Sequence, residues 1–209
     1  MIVSHTHRFI FFAVPRTATH SVRAVLAPHL GDDDWQQERL DSAHRLPIPE
    51  LAGAGHGHLG VRAIKPHLPE EVFQHYYKFA LVRHPYDRFV SVCSFLNRDN
   101  PDFAHDPEQW MWDALERERF RARLLVRPQI AMLVDESGEL ALDFIGRYEA
   151  LAESLRNVAA RLDLQLDDLP HRNRSPDAIR LAALTPRLRR ALDAFYAADF
   201  EAFDYDRAN

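Results

Sequence analysis

Six apolar residues in a row, Phe9 to Val14, run into Pro15-Arg16-Thr17-Ala18-Thr19-His20-Ser21, and an amphipathic pattern follows at once. An uninterrupted apolar run of this length predicts a parallel strand buried on both faces. A polar turn feeding a helix N-terminus directs several backbone N–H groups at one spot, and the helix dipole favours negative charge there. The junction therefore predicts an anion site, to which Arg16 adds a positive charge and Thr17, Thr19 and Ser21 add hydroxyls.

A second junction of the same kind spans Lys78-Phe79-Ala80-Leu81-Val82-Arg83-His84-Pro85-Tyr86-Asp87-Arg88-Phe89-Val90-Ser91. A short apolar strand over 78–82 ends in Arg83, and a helix begins just after it. Ser91, eight positions beyond Arg83 (91 − 83 = 8), falls in the second helical turn, so both can reach one phosphate. Asp87, Ser91 and Ser94 share one side of that helix, and Phe89, Val92, Cys93 and Leu96 form a buried one. A rival reading pairs Arg83 with Asp87 as internal support; Arg88 reads as structural.

Together these two segments resemble the sulfotransferases that use 3'-phosphoadenosine 5'-phosphosulfate (PAPS), especially the carbohydrate-type and bacterial branch. The family's 5'-phosphosulfate loop, commonly Pro-Lys-Thr-Ala-Gly-Thr-Ser, is similar to Pro15 to Ser21, and its 3'-phosphate segment is similar to Arg83 through Arg88 with Ser91. Asp143-Phe144-Ile145-Gly146-Arg147-Tyr148-Glu149-Ala150-Leu151 resembles the family's later strand-to-helix stretch, and Asp199-Phe200-Glu201-Ala202-Phe203-Asp204-Tyr205 its usual ending. Four matches in order are far more specific than any one alone.

The resemblance implies an α/β fold, a three-layer α/β/α arrangement with a mostly parallel central sheet like that of P-loop NTPases. It implies sulfuryl transfer from PAPS, with no metal, to a hydroxyl acceptor: a carbohydrate, a glycolipid or a small metabolite. Arg16 would then contact the phosphosulfate and stabilise the bridging oxygen. Thr17, Ala18, Thr19, His20 and Ser21 would supply backbone and hydroxyl donors, and Arg83 and Ser91 would grip the 3'-phosphate. The loop departs from the family pattern in having Arg16 for Lys, Thr19 for Gly and His20 for Thr. Arg is a planar fork where Lys is a compact charge, and a β-branched Thr19 resists the positive φ that glycine accepts. His20 either replaces a hydroxyl donor or merely starts a helix.

An acceptor hydroxyl loses its proton during attack, and histidine is the natural base near neutrality. His58, 25 positions before Arg83 (83 − 58 = 25), lies close to where related sequences place theirs; His56 is the second candidate. The His56-Gly57-His58 pair read as a metal site lacks a third ligand at convincing spacing. Arg172, Asn173 and Arg174 form a late polar turn that either contacts cofactor or is solvated. Trp35, Trp110 and Trp112 either stack on an acceptor or pack at a core rim, which is the commoner role.

The 209 residues, 46% hydrophobic, suffice for one substantial core and predict a single domain over 1–209. A net charge of −5, with 26 Lys and Arg scattered along the chain, argues against a nucleic-acid binder. The lone Cys93 excludes an intrachain disulfide and, with no apolar stretch long enough for a membrane span, predicts a cytoplasmic protein.

Along the chain, Val22, Val25 and Leu26 predict a helix stopped near Pro28 and Gly31, and Asp32-Asp33-Asp34 reads as a solvated acidic run. Residues 44 to 60, rich in proline, glycine and histidine, read as an exposed loop. His5 and His7 read as exposed strand-end residues. A short helix is expected from Pro69, a surface helix or pair over 107–127, a strand over 140–145 and a helix carrying Tyr148, Leu151, Leu155, Val158 and Leu162 on one face. Thr185-Pro186 predicts an N-cap and first helical residue, with Leu188, Leu192 and Phe195 inward. A P-loop kinase would share the strand-loop-helix plan, but no Gly-x-x-x-x-Gly-Lys-Ser/Thr string occurs. A protein that binds PAPS without turning it over is the other alternative.

Overall fold

The computed structural model describes residues 1–36, 48–52, 54, 56–165 and 184–207. Two compact units emerge, one from Met1–Val82 with Ala131–His171 and one from Arg83–Ile130 with Arg172–Asn209.

The first unit is built on a five-stranded sheet in the order β3-β1-β2-β4-β5. Its strands are β1 (Ile2–Ser4), β2 (Phe9–Phe12), β3 (Trp35–Gln36), β4 (Tyr77–Val82) and β5 (Phe144–Arg147). The expected apolar strand is there, and Phe9 through Val14 are all fully buried. It pairs in parallel with β4, and β4 in parallel with β5. The mostly parallel sheet of the sequence reading does not follow, however. β1 lies antiparallel to both β2 and β3, so the sheet is mixed. The reason is local, because only four residues join β1 to β2, and a connection that short can close only an antiparallel pair.

That turn is pinned by a residue assigned to solvent in the sequence reading. Asp32 and Asp33 are exposed, but Asp34 is 1% exposed. Its carboxylate accepts from Ser4 Oγ at 2.7 Å, His5 N at 2.6 Å, Thr6 N at 3.0 Å and Gly31 N at 3.0 Å. Burial alone would push the Asp34 carboxyl up, and these bonds outweigh it, leaving the pKa below the usual value. An acidic run carries no sign that one of its members will serve as an acceptor hub. His5, half-buried in the same turn, bonds Tyr76 Oη at 2.9 Å and meets Trp35 edge-on.

Helix α1 (Thr19–Leu26) follows the first loop as expected. Short helices α2 (Pro49–Ala52), α3 (Val61–Ile64) and α4 (Glu70–His75) precede β4. Within the described part of the 44–60 segment Pro49 and Glu50 are exposed as expected, but Ile48 and Leu59 are buried and anchor it. Strand β5 begins at Phe144, later than the 140–145 reading, because pairing to β4 starts where Asp143 N donates to Lys78 O at 2.8 Å. Helices α1 and α9 (Leu151–Leu162) cover one sheet face, where Val22, Val25, Leu26, Leu155 and Val158 meet Phe9, Phe11, Phe79 and Leu81. Gly146 permits this approach: a Cβ there would lie 2.7 Å from Cβ of Ser154.

The second unit is helical: α5 (Pro85–Leu96), α6 (Pro101–His105), α7 (Pro107–Glu116), α8 (Glu118–Arg121), α10 (Pro186–Phe195) and α11 (Ala197–Ala202). α5 starts on Pro85, the residue type suited to a first helical position. Its apolar face buries Phe89, Val92 and Cys93 as the spacing predicts, beside Tyr196 and Phe120. Arg88 is fully buried and donates to Leu125 O at 2.9 Å and Arg127 O at 3.0 Å, the structural role read for it. Thr185 caps α10, its hydroxyl accepting from Leu188 N. Trp110 packs against Phe103 and Phe120, and Arg187 lies 3.6 Å over Trp112.

Candidate active site

Two successive strand-to-helix junctions carry the residues singled out in the sequence. In the first, β2 runs through Ala13 and Val14 into the 15–21 loop, and two of the loop's residues, Arg16 (φ 67°) and Ala18 (φ 63°), adopt left-handed backbone. Thr19 does not. It is the first residue of α1, so the positive φ that its β-branch would resist falls one position earlier, on alanine. Left-handed residues within a turn make a concave set of main-chain N–H groups of the kind that holds anions, and α1 adds its N-terminal dipole. Thr17, Thr19 and Ser21 are buried, Arg16 and Ala18 half-buried, and His20 exposed. Thr17 Oγ1 donates to Val14 O at 2.9 Å, which holds the turn together and leaves Thr17 its main-chain N–H, not its hydroxyl proton, to offer an anion.

His58 lies beside the start of this loop. Its Nδ1 is 2.7 Å from Ala13 O. A carbonyl only accepts, so Nδ1 carries the proton and Nε2 keeps its lone pair in the neutral ring. Burial, with smaller contributions from the chain's amino group, Arg23 and His56, pushes the imidazole down to about 4, against a partial offset from the Ala13 bond. His58 is therefore neutral at physiological pH. The segment is held from the helix side too, because the buried Arg23 donates to Gly57 O at 3.2 Å. His56 is half-buried, and its Nδ1 accepts from His58 N at 3.3 Å, so that nitrogen faces its own chain. Among the described residues no group of three or more His, Cys, Asp or Glu side chains is placed to hold a metal ion.

In the second junction Arg83 directly follows β4, and Ser91 sits half-buried in the second turn of α5 on the side that carries Asp87 and Ser94. Here the structure shows residues that the sequence reading missed. The fully buried side chain of Gln129 accepts from Arg83 N at 2.9 Å and donates to Arg83 O at 2.8 Å. The buried Asp199 accepts from Gln129 N and Ile130 N, each at 2.9 Å. No periodicity or spacing links positions 83, 129 and 199. Arg172, Asn173 and Arg174 lie outside the described residues.

The Sulfotransferase family model matches residues 1–206. The chain belongs to the sulfotransferase family. It is thus a PAPS-dependent sulfotransferase. Searches of curated proteins and of solved structures gave no match. The first junction brings together left-handed backbone, a helix start and Arg16, the main-chain N–H groups and cation that suit an anion. No helix among the described residues of the sulfotransferase is long and apolar enough to cross a membrane.

Proposed function

We propose that the enzyme transfers the sulfuryl group of PAPS in line to a hydroxyl of a carbohydrate or glycolipid, with His58 as general base and one functional domain spanning residues 1–209. The observation that carries this reading is the His58 Nδ1 contact with Ala13 O, which leaves Nε2 as the basic nitrogen next to the loop that carries Arg16. In the transfer, Nε2 takes the acceptor's hydroxyl proton, the acceptor oxygen bonds to sulfur, and the bond from sulfur to the bridging oxygen breaks. The electron pair stays on the departing 5'-phosphate, where Arg16 and the N–H groups of Thr17, Ala18, Thr19, His20 and Ser21 neutralise the growing charge. Arg83 and Ser91 bind the 3'-phosphate by a charge-assisted contact and a hydroxyl bond. The P-loop-like layering, the cytoplasmic location and the absence of a metal requirement belong to the same proposal.

Radiolabelled PAPS supplied with a panel of sugars, glycolipids and phenols tests it. Labelled product is expected with the parent enzyme on a sugar hydroxyl and is lost with His58→Ala. A His58→Ala variant that sulfates as fast as the parent removes the base from the mechanism. Thermal-shift titration with adenosine 3',5'-bisphosphate should stabilise the protein without Mg²⁺; stabilisation only by Mg-ATP would favour a kinase.

A further inference from the structure

Arg83 has left β4, yet both its main-chain groups are still paired, and their partner is a side chain. The carboxamide of Gln129, 46 positions away, accepts from Arg83 N at 2.9 Å through Oε1 and donates to Arg83 O at 2.8 Å through Nε2. One amide thus serves the residue as a neighbouring strand's peptide group would. The carboxamide of Asn and Gln carries an acceptor and a donor side by side, as a peptide group does. The orientation of that amide is set from behind. Asp199 Oδ2 lies 3.3 Å from Gln129 Nε2 and accepts Gln129 N at 2.9 Å, and Asp199 Oδ1 accepts Ile130 N at 2.9 Å. A carboxylate behind Nε2 keeps the NH₂ end in place and the oxygen end on Arg83 N. Both Gln129 and Asp199 are fully buried, so water does not compete for these bonds.

We infer that Gln129 and Asp199 are positioning residues for 3'-phosphate recognition: the buried Asp199–Gln129 pair locks the backbone of Arg83 and so fixes the direction in which its guanidinium leaves the strand end. A side chain's accessible rotamers follow from its backbone angles, and a two-point clamp on N–H and C=O leaves those angles little freedom. This inference rests on the reading of Arg83 as the 3'-phosphate ligand. A pair serving only stability would affect all nucleotides alike, whereas a brace for Arg83 acts on the 3'-phosphate alone.

Calorimetric titration with adenosine 3',5'-bisphosphate and with 5'-AMP, which lacks the 3'-phosphate, separates these cases. Gln129→Met, close in size but without amide groups, should weaken bisphosphate binding about tenfold or more and leave 5'-AMP binding within about twofold. Asp199→Asn, which keeps the shape and part of the acceptor set, should act in the same sense and less strongly. Equal loss for both nucleotides, or no loss, overturns the inference. Arg83→Ala is the control for the underlying reading: if it leaves the preference for the bisphosphate intact, the phosphate assignment has failed. If it abolishes the preference while Gln129→Met retains it, only the bracing has failed. In the unaltered protein, the Gln129 side-chain amide resonances should shift with the bisphosphate and not with 5'-AMP. Equal shifts, or none, refute the inference even if both variants fail to fold.

Discussion

Hydrogen bonds to charged groups contribute roughly 1.5 to 3 kcal/mol each, which sets the scale for the two arginines. Arg83→Ala should weaken adenosine 3',5'-bisphosphate binding by roughly 10- to 100-fold with the melting temperature little changed, read by calorimetry. Arg16→Ala should lower kcat more than it raises KM, because charge on the bridging oxygen grows only as the bond breaks. A loss confined to KM would count against that role. His58 has a distinctive pH signature. With its imidazole held down to about 4, it remains a competent acceptor of protons well below the pH at which an ordinary histidine is charged. The acid limb of kcat/KM should therefore fall near pH 4 rather than near 6.5. The sequence made His58 a candidate by position, but its tautomer and low pKa come from Ala13 O and from burial, neither of which residue type or spacing contains.

At the level of elements, the turn between β2 and α1 places its strain on residues the family pattern does not point to. Ala18 holds φ 63° at the N-cap, and an L-residue there costs roughly 1 kcal/mol or more that glycine does not incur. Ala18→Gly should raise the midpoint of chemical unfolding, and Thr19→Gly, at a helical position, should lower it. The reverse order would mean that the left-handed residue is the other one. Thr185→Ala, which removes the bond to Leu188 N, should cost about 1 kcal/mol by urea unfolding. That cap was legible because Thr-Pro before an apolar period is a local signal. The hairpin of β1 and β2 was not legible, since a three-residue strand carries almost no periodicity.

For the molecule as a whole, His58 and Asp34 make two of the contributions to the pH dependence of stability, in separate windows. Between pH about 4 and 6.5 an unfolded chain protonates position 58 and the folded one does not. Stability should thus rise with pH across that window, by up to about 1.4 kcal/mol per pH unit. Asp34 acts lower down: its folded pKa lies below the ordinary 3.8, so its contribution is present above that value and lost as pH falls through the folded one. Denaturant melts from pH 3 to 8 should show both slopes. His58→Ala should reduce the slope in the upper window only, and Asp34→Ala should cost about 2 to 3 kcal/mol at neutral pH by leaving partly buried N–H groups without their acceptor. By itself the sequence determined the apolar strands, the loop feeding α1 and the family, because the first two are written in contiguous residues at the period of a strand or helix and the family in motifs that resemble it in order. Only the tertiary structure decided the mixed sheet, the buried Asp34, the basic nitrogen of His58 and the clamp on Arg83. Those depend on which distant donors and acceptors share a site shielded from water, and that pairing is set when the chain packs.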